Sequence, residues 1–364
     1  MRGPRRWRFA SGPPKAPRRR AWGRRRVLFP SAPHRPCHPG HLLSRAGTLG
    51  RTAPPPAELS RRAAEVHRAG PRSRDARRAG GERSVSGTIL LGIDVESASE
   101  ASRGYAKYGA ELFHGLGVPV TFYLTGRTLA KYPGEFAALA ADDLIDLQCH
   151  TYDHLLLKTV FMQLPPGVKG HDDNPYYLQR GATLQQIEED LARCVPLFED
   201  VLGRRPRGLT GPWGYYRGLQ DRPDILEIVY AHGFRHLRTF ARDERDCQPV
   251  PLAWQPFFYA PQGFPDALEL LVQDYQDDFY WEMFARPGPG ERYEDHLREV
   301  ARRVADEDLV WSVASHDHGC DTREGFARKG RWLREFVSYA KDIGIRFMSA
   351  EAYYEEAVAA RPTA

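Results

Sequence analysis

The sequence predicts an α/β fold on a parallel sheet, open or closed into a barrel. From Gly87 to the end, short apolar runs alternate with helical patterns, as when strands and helices take turns covering a sheet. That stretch is about 280 residues, close to the ~250 typical of one (β/α) barrel. Several apolar runs also end in carboxylates or imidazoles, at the edge where parallel α/β proteins place their chemistry.

Thr88 to Ile93 reads as a buried strand, followed by a helix from Tyr105 to Leu116 that Gly117 ends. Val118 to Leu124 is the second strand, and helical material fills Thr128 to Ala141. Leu144 to Cys149 is the third strand and delivers His150. Residues 160–181, rich in Pro, Gly and Asp, read as a loop. Thr183 caps a helix to about Leu202, with Glu188, Glu189 and Asp190 near its start. Later strands are expected at Gly208–Thr210, Phe234–Arg238, Leu309–Ala314 and Ile345–Met348, with helices between. No internal repeat is visible.

The net charge of +5 hides a split. Residues 1–86 hold 22 Lys+Arg against 4 Asp+Glu, a net of +18, whereas the rest holds 30 against 43, a net of −13. A basic nucleic-acid-binding body is thereby excluded, and non-specific nucleic-acid binding is confined to the first segment. That segment carries 12 of the 29 prolines and the runs Arg18-Arg19-Arg20 and Arg24-Arg25-Arg26. Its apolar residues are too sparse to offset chain entropy, so it is expected to be disordered. Val27-Leu28-Phe29 is too short for the apolar stretch of a secretory signal. An acid-poor, Arg-rich transit peptide fits the charge but not the proline content. The expectation is a dispensable extension, or upstream sequence translated from a misplaced start. It precedes a catalytic domain over 87–364 in a cytoplasmic protein without a membrane span. The five cysteines (Cys37, Cys149, Cys194, Cys247, Cys320) form no CxxC pair and read as reduced thiols.

Four strand ends carry the functional signal: Asp94-Val95-Glu96, His150-Thr151-Tyr152-Asp153-His154, Gly211-Pro212-Trp213-Gly214 and Ser315-His316-Asp317-His318. If the chain turns helical after the third strand, His150 and His154 share one face about 6 Å apart at Cβ. Two imidazoles and one carboxylate with an open position are a common catalytic zinc shell, and Asp94 or Glu96 could supply the carboxylate. The alternative is that the histidines only cap a strand.

With Val120-Thr121-Phe122-Tyr123-Leu124-Thr125-Gly126 between them, these motifs in this order resemble a NodB-type polysaccharide deacetylase over roughly 87–348. The resemblance implies a distorted (β/α) barrel with fewer than eight complete units. It also implies metal-dependent hydrolysis of N-acetyl groups on amino sugars, and sometimes of other amides. By that resemblance His150 and His154 become metal ligands. The family's first acidic motif has two adjacent aspartates. Here Val95 fills the second slot, so the sequence is closer to the intracellular-type Asp-x-Asp/Glu branch. Asp94 is then the general base and Glu96 the third ligand, and the two could be exchanged. The family's Arg-x-Pro-x-Gly keeps Pro212 and Gly214 but has Thr210 in the Arg slot, with Arg207 or Arg217 as nearby substitutes. Trp213 maps to the residue whose backbone N–H forms an oxyanion hole. His316 maps to the general acid, with His318 its competitor and Asp277, Asp278 and Trp281 as the acid–Trp element before it.

The chemistry is self-consistent. A divalent ion, Zn²⁺ by preference and Co²⁺, Ni²⁺ or Fe²⁺ by the same ligands, brings bound water towards pKa about 7. A carboxylate takes the proton, a backbone N–H stabilises the oxyanion, and a histidine protonates the leaving amine. The expected substrate is an N-acetylated polysaccharide or glycoconjugate. The rivals are a cyclic amide or imide on the same scaffold, and a carbohydrate-binding pseudoenzyme suggested by Val95 and Thr210. Oligomeric state is not readable. Trp254, Phe257, Phe258, Tyr259 and Phe264 either stack on substrate or pack in a loop over the barrel mouth. His171, Asp172 and Asp173 read as solvated loop residues.

Overall fold

The computed structural model describes residues 86–164, 176–246 and 249–361. The expected disorder of the basic segment and the reading of residues 171–173 lie outside the described residues.

The strands are β1 (Thr88–Val95), β2 (Val120–Leu124), β3 (Ile145–Cys149), β4 (Val160–Gln163), β5 (Tyr176–Gln179), β6 (Gly208–Tyr216), β7 (His236–Arg242), β8 (Phe257–Tyr259), β9 (Phe264–Glu269), β10 (Val310–His316) and β11 (Arg346–Met348). The helices are α1 (Glu100–Leu116), α2 (Gly126–Lys131), α3 (Pro133–Leu139), α4 (Leu184–Leu202), α5 (Pro223–Ala231), α6 (Asp278–Phe284), α7 (Tyr293–Glu307), α8 (Arg323–Asp342) and α9 (Ala350–Ala359). In the large sheet the order is β10-β1-β2-β3-β6-β7-β9-β8, with β11 beside the start of β1. All its pairings are parallel except β8 with β9.

Just past β9 the chain bridges the remaining gap. Leu270 N donates to Leu237 O (2.7 Å), Val272 N to Phe240 O (2.8 Å) and Gln273 N to Ser312 O on β10 (3.3 Å). The Gln273 amide adds a substitute rung, accepting from Ser312 N (2.8 Å) and donating to Val310 O (2.9 Å). Seven parallel strands thus close a ring, the distorted barrel with fewer than eight units expected above.

Side-chain alternation sorts β1 between two environments. Ile89, Leu91, Ile93 and Val95 face the helices in the main core, while Leu90 packs with Tyr123, Leu268 and Leu270 in a separate cluster. Burial on both sides explains why the strand reads as a continuous apolar run. It also places Val95 in the helix-facing core, while Asp94 and Glu96, two apart, share the other face.

The helices begin and end where local chemistry dictates. Ser99 caps α1 and Gly117 ends it at φ 61°, a left-handed value suited to glycine. Thr183 and Gln186 form a capping box on α4. The stretch expected as helix over 128–141 divides into α2 and α3 because Pro133 starts a new helix.

Several expectations are corrected. Residues 160–181 are not only loop: β4 and β5 pair antiparallel, with Val160 and Met162 buried and Phe161 exposed. The run Val-Phe-Met hid that alternation because its exposed member is also apolar. The aromatic segment after Trp254 is not a loop over the mouth. Phe257–Tyr259 and Phe264–Glu269 are strands, Tyr259 is buried, and Trp254 packs on Phe240. Among the described residues no helix is long and apolar enough to cross a membrane.

Candidate functional site

The parallel strands put the ends of β1, β3, β6, β7 and β10 on one rim. Asp94 is the last inward residue of β1, and Glu96 follows on the same side. His150 directly follows β3, and its Nδ1–H donates to the Thr210 carbonyl on β6 (3.0 Å). That commits Nδ1 and turns Nε2 toward Glu96 Oε2, in hydrogen-bond contact at 2.9 Å. His154 Nε2 lies 2.9 Å from the same oxygen, and the two imidazoles meet edge-on at 4.8 Å.

No helix follows β3, contrary to the expected geometry. Thr151 and His154 have positive φ (57° and 56°), and a turn brings the imidazoles together. Asp190 on α4 pins that turn by accepting from Tyr152 N (2.6 Å) and Asp153 N (2.9 Å). A Cβ on Gly126 would lie 2.3 Å from the Tyr152 ring, so only glycine permits this close approach.

The donor atoms of Glu96, His150 and His154 lie within 4.8 Å of one another, as do those of Asp94, Glu96 and His316. Two imidazole nitrogens and one carboxylate suit a divalent transition ion, so the residues present fit the expected metal. Burial alone would raise the Glu96 pKa. Hydrogen bonds to His150, His154 and His318 hold it well below the usual carboxylate range. For His150 burial works downward, but the charge of Asp94 and the contact with Glu96 raise it above the ordinary value.

Asp94 is paired by a residue that sequence reasoning missed. Neither proposed substitute reaches it: Arg207 pairs with Glu351 (2.6 Å), and Arg217 bonds Gln220. Arg238 on β7 makes the contact, with Nη2 on Asp94 Oδ1 and Nε on the Thr210 hydroxyl (3.0 Å). Its guanidinium lies 4.3 Å from the Tyr123 ring centre. It fits beside β1 because residue 92 is glycine, where a Cβ would come within 2.6 Å of it. Thr210 therefore occupies the vacated Arg slot and braces an arginine from the next strand. The sequence signal was weak, because the strand expected over 234–238 also carries Arg235 and His236.

Trp213 sits in an irregular part of β6, at φ 68°, with Gly214 at φ 62°. Arg242 Nε donates to both carbonyls (2.9 and 3.1 Å), holding the turn. The indole stacks on Tyr177 of β5 at 5.1 Å.

His316 ends β10 and is buried, whereas His318 is 62% exposed. His316 Nδ1–H donates to Asp277 Oδ2 (2.9 Å), Lys329 Nζ donates to the His316 carbonyl, and Tyr280 stacks on the ring at 5.8 Å. Asp277 also N-caps α6. Burial would lower the His316 pKa, but the bond to Asp277, its charge and those of Glu96 and Asp94 push it up to about 9. His318 Nε2 instead lies 3.0 Å from Glu96 Oε1. Asp94, Glu96, His154, Trp213 and His316 line one cleft of about 160 Å³, and the buried His150 contacts Glu96 beside it.

Residues 87–235 match the family model described as polysaccharide deacetylase. No curated protein matches the chain in sequence. Among solved structures, a Mycobacterium smegmatis protein described as a polysaccharide deacetylase shares 16% identity and a TM-score of 0.53, covering 78% of this chain and 98% of its own. A Pseudomonas aeruginosa protein of the same description gives 16%, 0.53, 76% and 92%. PuuE allantoinase gives 13%, 0.50, 76% and 92%. The family match and these folds agree with a NodB-type deacetylase barrel.

Proposed function

We propose that this protein is a metal-dependent hydrolase of amide C–N bonds that removes acetyl groups from N-acetyl amino sugars in a polysaccharide or glycoconjugate. The convergence of Glu96, His150 and His154 beside an Arg238-paired Asp94 and an Asp277-anchored His316 carries the reading. The match of 87–235 to the polysaccharide deacetylase model supports it.

Glu96, His150 and His154 would hold a divalent ion, which would supply acidification of a water and electrophilic activation of the acyl oxygen. Asp94 takes the proton of the attacking water, oriented by Arg238. The Trp213 backbone N–H receives the developing oxyanion, in a turn that Arg242 keeps rigid. His316 protonates the departing amine through Nε2, since Nδ1 is committed to Asp277. The second slot of the acidic motif needs no ligand here, because the partner of Asp94 is Glu96, one strand period further on. Arg238 offsets the missing arginine at Thr210, which weighs against a pseudoenzyme.

The test is acetate release from N-acetylated oligosaccharides by the metal-loaded protein, beside Asp94→Asn. Loss of about 10²–10⁴ in rate is expected on removing a positioned base. Undiminished turnover in that variant would remove Asp94 from the mechanism.

A further inference from the structure

Two sets of donor atoms share Glu96. One is the His150–His154 set. The other comprises Asp94, Glu96 and His316, whose donor atoms also lie within 4.8 Å of one another. His316 is built like His150: each imidazole is anchored through Nδ1, one on the Thr210 carbonyl and one on the Asp277 carboxylate. Carboxylate anchoring of the far nitrogen is the usual support of a metal-ligating histidine. Arg238 occupies Asp94 Oδ1, and Oδ2 lies between the two imidazoles, 3.9 Å from His150 Nε2 and 4.0 Å from His316 Nε2. Glu96 also has contacts on both oxygens, Oε2 with His150 and His154 and Oε1 with His318, so its carboxylate can bridge.

We propose that Asp94, Glu96 and His316 form a second, weaker position for a divalent transition cation, sharing Glu96 with the first, and that an ion there inhibits the enzyme. The inference rests on the metal reading above. The second position is weaker for two electrostatic reasons: Arg238 already neutralises part of the Asp94 charge, and the first ion repels another beside it. It is inhibitory because it occupies the Asp94 oxygen that accepts a proton and, on binding His316 Nε2, releases to solvent the proton that the reaction would deliver from there. Carboxylate-bridged pairs of ions about 3.5–4 Å apart are an established arrangement in hydrolases. Here the bridge would block rather than assist.

The full-length protein, stripped of metal, is titrated with Zn²⁺ in equilibrium dialysis beside His316→Gln and the double variant His150→Ala/His154→Ala. The expected result is that His316→Gln binds one ion fewer than wild type and keeps the tight ion, while the double variant loses the tight ion. Excess Zn²⁺ should lower wild-type activity about a hundredfold, the scale of losing proton transfer. If His316→Gln binds as many ions as wild type, the second position falls and the first stands. If the double variant also binds as many, the metal reading falls with it. Titration of wild type with Mn²⁺ needs no variant to fold: its paramagnetic resonance spectrum should change from isolated to coupled ions between one and two equivalents. An uncoupled spectrum at two equivalents overturns the proposal.

Discussion

Arg238 places a guanidinium inside a strand, 2% exposed, where an uncompensated charge would be costly. Its partners are Asp94, the Thr210 hydroxyl and the Tyr123 ring. Removing one member of a buried pair leaves the other unpaired, at a cost of about 3–5 kcal/mol. Arg238→Met should therefore lower stability by that order and lower turnover as well. Arg238→Lys should restore little, because one ammonium cannot span Thr210 and Asp94 as a planar fork does. Denaturant unfolding checks both, and Arg238→Met at wild-type stability would refute the pairing argument. His316 gives a second residue-scale prediction. As the proposed acid it must carry its proton, and with its pKa raised to about 9 the rate should fall as pH rises through that value. Asp277→Asn removes the largest raising contribution, so the alkaline limb should move to lower pH. A pH profile of kcat/KM that does not move would separate Asp277 from the acid. The pair's contribution to stability has the same sign: it is present below the unfolded histidine value of about 6.5 and is lost as pH rises through about 9.

At the scale of elements, the turn that carries His150 and His154 depends on a helix it does not belong to. Asp190 on α4 accepts two backbone N–H groups from the turn between His150 and His154. Asp190→Ala should let that turn relax, and outer supports of this kind are worth about 10–100-fold in metal affinity. Competition with a chelator measures it, and unchanged affinity would mean the turn holds itself. The strand ends were legible because each couples an apolar run to polar residues at one edge. Asp94, Glu96, His150, His154 and His316 needed only that pattern. Arg238 and Asp190 were not assignable because their roles depend on which strand or helix lies alongside, and spacing along the chain does not carry that. The β4–β5 arm was missed for another reason. Its strands are four residues long, and the first presents the apolar Phe161 to solvent, so the period-two signal was masked. The arm still matters to the site, because Tyr177 on β5 backs the Trp213 indole.

For the barrel as a whole, the donor set ties together pieces distant in sequence. Glu96 follows β1, and His150 and His154 follow β3. Asp94 reaches β7 through Arg238, while the Gln273 rung joins the last part of the ring to β10. A ligand that binds only this folded arrangement stabilises it by RT ln(1 + [L]/Kd), about 4 kcal/mol at a thousandfold excess over Kd. In a domain above about 150 residues, each kcal/mol corresponds to roughly 2–4 °C in melting temperature. Chelation should therefore lower the melting temperature by about 10 °C, and added Zn²⁺ should restore it. The His150→Ala/His154→Ala variant should melt at the chelated value with or without Zn²⁺, because it lacks the site. Were wild type and variant to respond alike to chelator, the stabilising ion would lie elsewhere. A wild type that ignores chelator altogether, while binding one equivalent of metal, would mean that the unfolded chain binds the ion as tightly as the folded barrel does.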